Sequence, residues 1–272
     1  MLPSLIVRRT AVPLLLVLFL SASVGAQDPL GESRRLYNAG SFEEARQAVR
    51  QALEQPATEN SARVILGRIQ LELYRKSPSG EALTEARAAF RDVDPLALDA
   101  QERLELTVGL AETLFLEDRF AAAAEMFAPV IETSIVLGPD AHERVLDWWA
   151  TALDRHAQTR PMSDRAELYA RITSRMSSVL AGNPGSSPAS YWLVAAARGR
   201  GDLDAAWSGA MAAWVRAVLA RDRGVTLRGD LDRLVVHAII PEQAARLSPR
   251  DPSLATTGLL SDWEAFKASW TK

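Results

Sequence analysis

One pattern returns along this chain at intervals close to forty residues: a bulky residue, two spacers, alanine, three spacers and an apolar residue. It reads Phe42, Ala45, Val49; Leu83, Ala86, Phe90; Phe120, Ala123, Phe127; and Leu203, Ala206, Ala210. The alanines stand 41, 37 and 83 positions apart, and 83 is close to two steps, so a worn copy is expected near residue 165, where Ala166 and Ala170 stand. Self-similarity at such a period marks an array of supersecondary units, none of which can bury its apolar face alone. A small residue with bulky ones at i−3 and i+4 lets a neighbouring helix approach closely across that spot. Ala45, Ala86, Ala123 and Ala206 are therefore expected to be buried helix crossings.

Between these anchors the chain reads as helix almost throughout, with apolar residues recurring at three and four and alanine abundant. The fold class is all-α. Ser41 with Glu44, Asp99 with Glu102, Asp140 with Glu143 and Ser261 with Glu264 have the spacing of capping boxes, in which a short polar side chain and an acid satisfy reciprocal amides at a helix start. Breakers separate the periodic segments: Pro56, the stretch 77–80, Asp94 with Pro95, Gly138 with Pro139, Pro161 and the stretch 183–188. At the end, Leu259, Trp263, Phe266 and Trp270 mark one face of a short helix predicted to start at Ser261, which suits a cap over the last hairpin.

The turn Gly40, Phe42, Ala45 and its counterpart Gly201, Leu203, Ala206 resemble the turn and small-residue crossing of tetratricopeptide repeats; Asp118, Phe120, Ala123 lack the glycine. Leu66 and Gly67 resemble the Leu-Gly pair of that family's first helix, and the stretches 183–189 and 247–252 its proline-bearing junctions. The resemblance covers residues 28 to about 215, with a worn repeat from 225 to 255. It implies an α-solenoid of about five helical hairpins with a C-terminal capping helix, and a protein-binding role. The family period is about 34, whereas the steps here run from 37 to 43. Additions near 76–80 and 159–163 account for part of the difference. Repeats of the HEAT type, with periods near forty, are the alternative.

The first 26 residues look like an address. Arg8 and Arg9 precede an uncharged run from Thr10 to Ala26 with an apolar centre at 14–20, and Val24, Gly25, Ala26 place small or modest residues before a polar Gln27. That is the layout of a Sec-type signal peptide, with cleavage expected after Ala26. The organisation is then 1–26 signal peptide, 27–222 repeat domain and 223–272 C-terminal helical extension or cap. A periplasmic or secreted location follows, and a chain with no cysteine cannot be a lipoprotein. The 28 arginines against 3 lysines, with the high alanine content, point to a GC-rich bacterial gene.

Charge and chemistry narrow the function. The net charge of −3 argues against a nucleic-acid binder, which presents a basic face. Without cysteine there are no thiolate metal sites or thiol nucleophiles. No nucleophile elbow, zinc-protease helix, phosphate loop or calcium loop is spelled anywhere. His142 and His156 are 14 apart, about 21 Å on a straight helix, too far to share a metal. His237 reads as a packed or partly exposed core residue, and Arg200-Gly201-Asp202 as an interhelical turn. No catalytic, metal or cofactor-binding residue is assigned, and the chain is not expected to be an enzyme.

The expectation is a non-catalytic interaction module of the bacterial cell envelope, holding a protein or peptide partner in a concave groove. An envelope enzyme or small-ligand binder using the aromatic-rich C-terminal half is the alternative. Neither nucleic acid nor, after cleavage, a membrane span is expected. The family phase places Tyr191, Trp192 and Arg198 on one first helix, Trp148 and Thr151 on the one before, and Arg34 and Arg68 near the N-terminal end of the groove. Adjacent aromatics on one helix cannot face the same way, so at least one of Trp148 and Trp149, and likewise one of Tyr191 and Trp192, is expected to reach a different surface.

Overall fold

In a computed structural model, residues 28–270 are described, and the expected signal peptide lies outside them. Helices succeed one another as α1 (Pro29–Asn38), α2 (Phe42–Leu53), α3 (Glu59–Lys76), α4 (Gly80–Arg91), α5 (Ala100–Leu116), α6 (Phe120–Phe127), α7 (Pro139–Gln158), α8 (Met162–Gly182), α9 (Ser187–Gly199), α10 (Leu203–Arg216), α11 (Val225–Leu234), α12 (Ile240–Leu247) and α13 (Ser253–Trp270). Among the described residues there is no strand, so the all-α class holds.

Three hairpins turn in the same way. At the end of α1 the Ser41 amide reaches back to the Leu36 carbonyl at 3.0 Å, with Gly40 at φ +77°. α9 ends alike, with Asp202 N–H donating to Ala197 O at 3.0 Å and Gly201 at φ +77°. In α5 the matching bond runs from Arg119 N–H to Leu114 O at 2.8 Å, and the left-handed residue is Asp118, at φ +58°. This 6→1 bond satisfies a helix-terminal carbonyl and requires a positive φ, which glycine takes freely and aspartate at some cost. The missing glycine thus leaves the turn in place.

Each even-numbered helix from α2 to α10 packs between the odd-numbered helices on either side. The odd helices also touch in series, α1 on α3, α3 on α5, α5 on α7, α7 on α9 and α9 on α11. The expected crossings are buried: Ala45, Ala86, Ala123 and Ala206 have no exposed surface. Phe90 of α4 wedges between two odd helices, because a Cβ on Gly67 (α3) or on Gly109 (α5) would stand 2.4 Å from its ring. The worn copy is different from the expectation. Ala166 and Ala170 are exposed, and the buried face of α8 is Tyr169, Ile172 and Met176. Those three keep the i, i+3, i+7 spacing with isoleucine at the crossing, and room for the tyrosine comes from Gly199 on α9, where a Cβ would lie 2.2 Å from the phenol ring.

Of the four expected capping boxes one forms; Ser41 is the N-cap of α2, but its side chain makes no cap hydrogen bond. Asp99 and Glu102 form a complete capping box on α5. α7 instead begins at Pro139 after Gly138, leaving Asp140 inside its first turn. Ser261 lies in the middle of α13, which starts eight residues earlier at Ser253. Of its expected face, Trp263 is fully buried, its ring stacked 5.7 Å from Phe266 and edge-on to Trp207 and Trp214 of α10, whereas Trp270 is exposed. Trp263 packs against the α11–α12 run, which passes through one π turn at Val235–Ile239 without breaking. Exposed His237 sits on that turn.

Candidate partner-binding surface

The seven residues singled out from the sequence all stand on odd-numbered helices, and the structure divides them between two regions. In the N-terminal region, charged side chains pair across the row. Arg34 of α1 meets Glu102 of α5 at 2.5 Å, and Arg68 of α3 meets Glu105 at 2.8 Å. Arg75 contacts both Glu72, at 2.8 Å, and Glu112. Two of these arginines also lie over aromatic rings at 4.5 Å from the centroid, Arg68 on Tyr37 and Arg75 on Trp148. Buried charges survive when paired and capped in this way. Arg34 and Arg68 are therefore committed to carboxylates of the same chain, a partnership their sequence reading as groove residues did not include.

Glu102, Glu105 and Glu112 are among the few buried charged residues described. Burial pushes the Glu112 carboxyl up to about 7, against the pull of Arg75. Loss of solvent raises an acid because it penalises the ionised form.

The C-terminal region is open. A cleft of about 660 Å³ lies between α7, α9 and α11, and Thr151, Tyr191 and Trp192 line it. Trp192 is largely buried and donates its Nε1–H to Asp147 Oδ1 at 2.8 Å, while Tyr191 stands edge-on to it at 5.3 Å and is half-buried. Trp148 turns toward the N-terminal region, 5.9 Å from Phe127, and its neighbour Trp149 goes into the core, as adjacent helical positions require. Arg198 is outside the cleft, paired with Glu242 of α12 at 2.5 Å.

The cleft also carries four acids that are not among those seven: Glu143, Asp147, Asp154 and Asp230. Asp154 accepts from Tyr169 Oη at 2.8 Å and from Gln158 at 2.6 Å. Burial raises the carboxyls of Asp147 and Asp154, offset in part by the Trp192 indole at Asp147 and, at Asp154, by Tyr169, the charges of Arg155 and Arg198, and Gln158. For the paired acids of α5, though not for those of the cleft, a signal existed in the spacing. Arg68 to Glu105 and Arg75 to Glu112 are each 37 apart, the same step as Ala86 to Ala123, so residues one repeat apart face each other on adjacent first helices.

One pair has the composition of a catalytic dyad: Ser134 Oγ and His142 Nδ1 are 2.8 Å apart. Ser134 is completely buried and bonded to the Ile131 carbonyl at 2.6 Å, so its hydroxyl cannot reach a substrate. The pair ties the turn before α7 to that helix. Among the described residues no group of acids and histidines is arranged to hold a metal ion, and no helix is long and apolar enough to cross a membrane. No family model, curated protein or solved structure matches this chain.

Proposed function

We propose that the protein is a non-catalytic interaction module, a tetratricopeptide-like α-solenoid whose odd-numbered helices form a concave face that holds a protein or peptide. The observation that carries this reading is the serial contact of α1, α3, α5, α7, α9 and α11, with the even helices behind and an open cleft on the last three odd members. A row of that kind offers several helices to one extended ligand with little ordering of the receptor. The Gly40 and Gly201 turns, and the alanine crossings they precede, carry the family resemblance. The charge and hydropathy of residues 1–26 support export to the periplasm or the exterior.

The test is capture of partners from an envelope fraction by the purified protein and by Tyr191→Ala, with thermal unfolding of both. Loss of specific co-eluting proteins in a variant that still melts like the parent supports the concave face. Capture unchanged by the substitution removes it.

A further inference from the structure

The row of first helices is neutralised in one half and not in the other. In α5, Glu102, Glu105 and Glu112 each meet an arginine of α1 or α3. In α7, Glu143, Asp147 and Asp154 face the cleft, and among the described residues none of the three has an ion-pair partner on the chain. Their hydrogen-bond partners are the Ser187 amide, the Trp192 indole, the Tyr169 hydroxyl and the Gln158 amide, all uncharged donors, and Arg155 and Arg198 act on Asp154 only through space, without an ion-pair contact. Across the cleft stands Asp230 of α11, engaged at the protein surface by Arg233. The two basic residues on the rim are Arg144, directed to Glu72 and the Trp148 ring, and Arg155. Four acids against two bases leave the lining at −2.

Carboxylates in a partly desolvated cleft gain most from a positive charge brought in from outside, since Coulomb attraction is stronger there than in bulk water. Tyr191, half-buried between them, offers a ring on which an alkyl stem or a guanidinium can lie.

We infer that the α7–α9–α11 cleft docks a basic, extended peptide segment, whose lysine or arginine side chains meet Asp147, Asp154 and Glu143 while its backbone runs past Tyr191. This rests on the concave face as the binding surface and adds the chemistry of its occupant. Charge complementarity selects a basic peptide over an acidic one, and the length of a cleft spanning three helices suits a segment of several residues.

The experiment titrates the purified protein with three synthetic octapeptides, alternating Arg-Ala, Glu-Ala and Ser-Ala, and with spermine, followed by calorimetry at low and high salt. The Arg-Ala peptide is expected to bind, with at least tenfold weaker affinity for Asp147→Asn/Asp154→Asn, whose amide oxygens still accept from Trp192 and Tyr169. A control that removes two acids elsewhere, Glu125→Gln/Glu132→Gln, should retain the affinity. An equal loss in the control, or no loss in a folded double asparagine variant, overturns the assignment, as does spermine binding as well as the peptide. Binding of the Ser-Ala or Glu-Ala peptide that is lost in Tyr191→Ala overturns the basic occupant and leaves the concave face standing. Failure of every peptide, together with envelope capture indifferent to Tyr191→Ala, overturns both.

Discussion

Trp192 and Asp147 are joined across α9 and α7 by an indole-to-carboxylate hydrogen bond of 2.8 Å. The bond fixes the orientation of the cleft's largest ring and holds an acid that burial would otherwise disfavour. Asp147→Ala leaves the buried indole N–H without an acceptor and is expected to cost about 1–3 kcal/mol. Asp147→Asn, which keeps an acceptor, should cost less than half as much. Urea unfolding of the two variants checks the ratio.

Ala123 has no exposed surface at the crossing of α6 with its neighbours. Replacing it with leucine forces the adjoining helices apart and should destabilise by about 1–3 kcal/mol. The same change at exposed Ala166 should lie within about 0.5 kcal/mol of the parent. Thermal melts that fail to separate the two sites would contradict the phasing of the array.

Asp118 occupies a left-handed conformation that two sister turns assign to glycine. Asp118→Gly relieves a strain of roughly 1 kcal/mol, partly offset by the greater freedom of glycine in the unfolded chain. A net gain of a few tenths to about 1 kcal/mol in urea unfolding is expected.

Glu112 gives a pH dependence with a definite sign. Its carboxyl is raised to about 7 in the folded protein from 4.5. Between those values the native state binds the extra proton, so this group's contribution to stability declines as pH rises from about 4.5 to 7. The protonated form is the favourable one below that window, and the cost of ionisation is complete above it. Glu112→Gln should remove up to about 3 kcal/mol of that slope, with Arg75 still held by Glu72 at 2.8 Å. Chemical unfolding at pH 5 and pH 8 for parent and variant measures the difference.

The parts of the fold that rest on backbone requirements were legible in the sequence. Gly40 and Gly201 mark turns that need positive φ, and the alanines after them mark crossings that exclude larger side chains. The worn repeat was misplaced because Tyr169, Ile172 and Met176 form the buried face, and the tyrosine is given room by Gly199 on another helix, an exchange of volume across thirty positions of sequence. Ser261 with Glu264 has the spacing of a cap, yet the spacing alone cannot distinguish a helix start from the interior of a longer helix. The site was half legible. Phase put Thr151, Tyr191 and Trp192 on the cleft, but the acids beside them looked like ordinary surface charge until the helices that face them were known. Arg34, Arg68 and Arg198 looked available for the same reason, and each meets a carboxylate on a distant helix.

The pairing along the N-terminal row has a direction in time. Arg34, Arg68 and Arg75 precede Glu102, Glu105 and Glu112 in the chain, so during synthesis the cations emerge first. Until α5 follows, the nascent hairpins carry guanidinium groups whose long-range counterions have not yet been made. Completion of α5 is therefore the moment at which Arg34, Arg68 and Arg75 gain their carboxylates on that helix. A fragment ending before residue 100 would lack that closure however well its helices form.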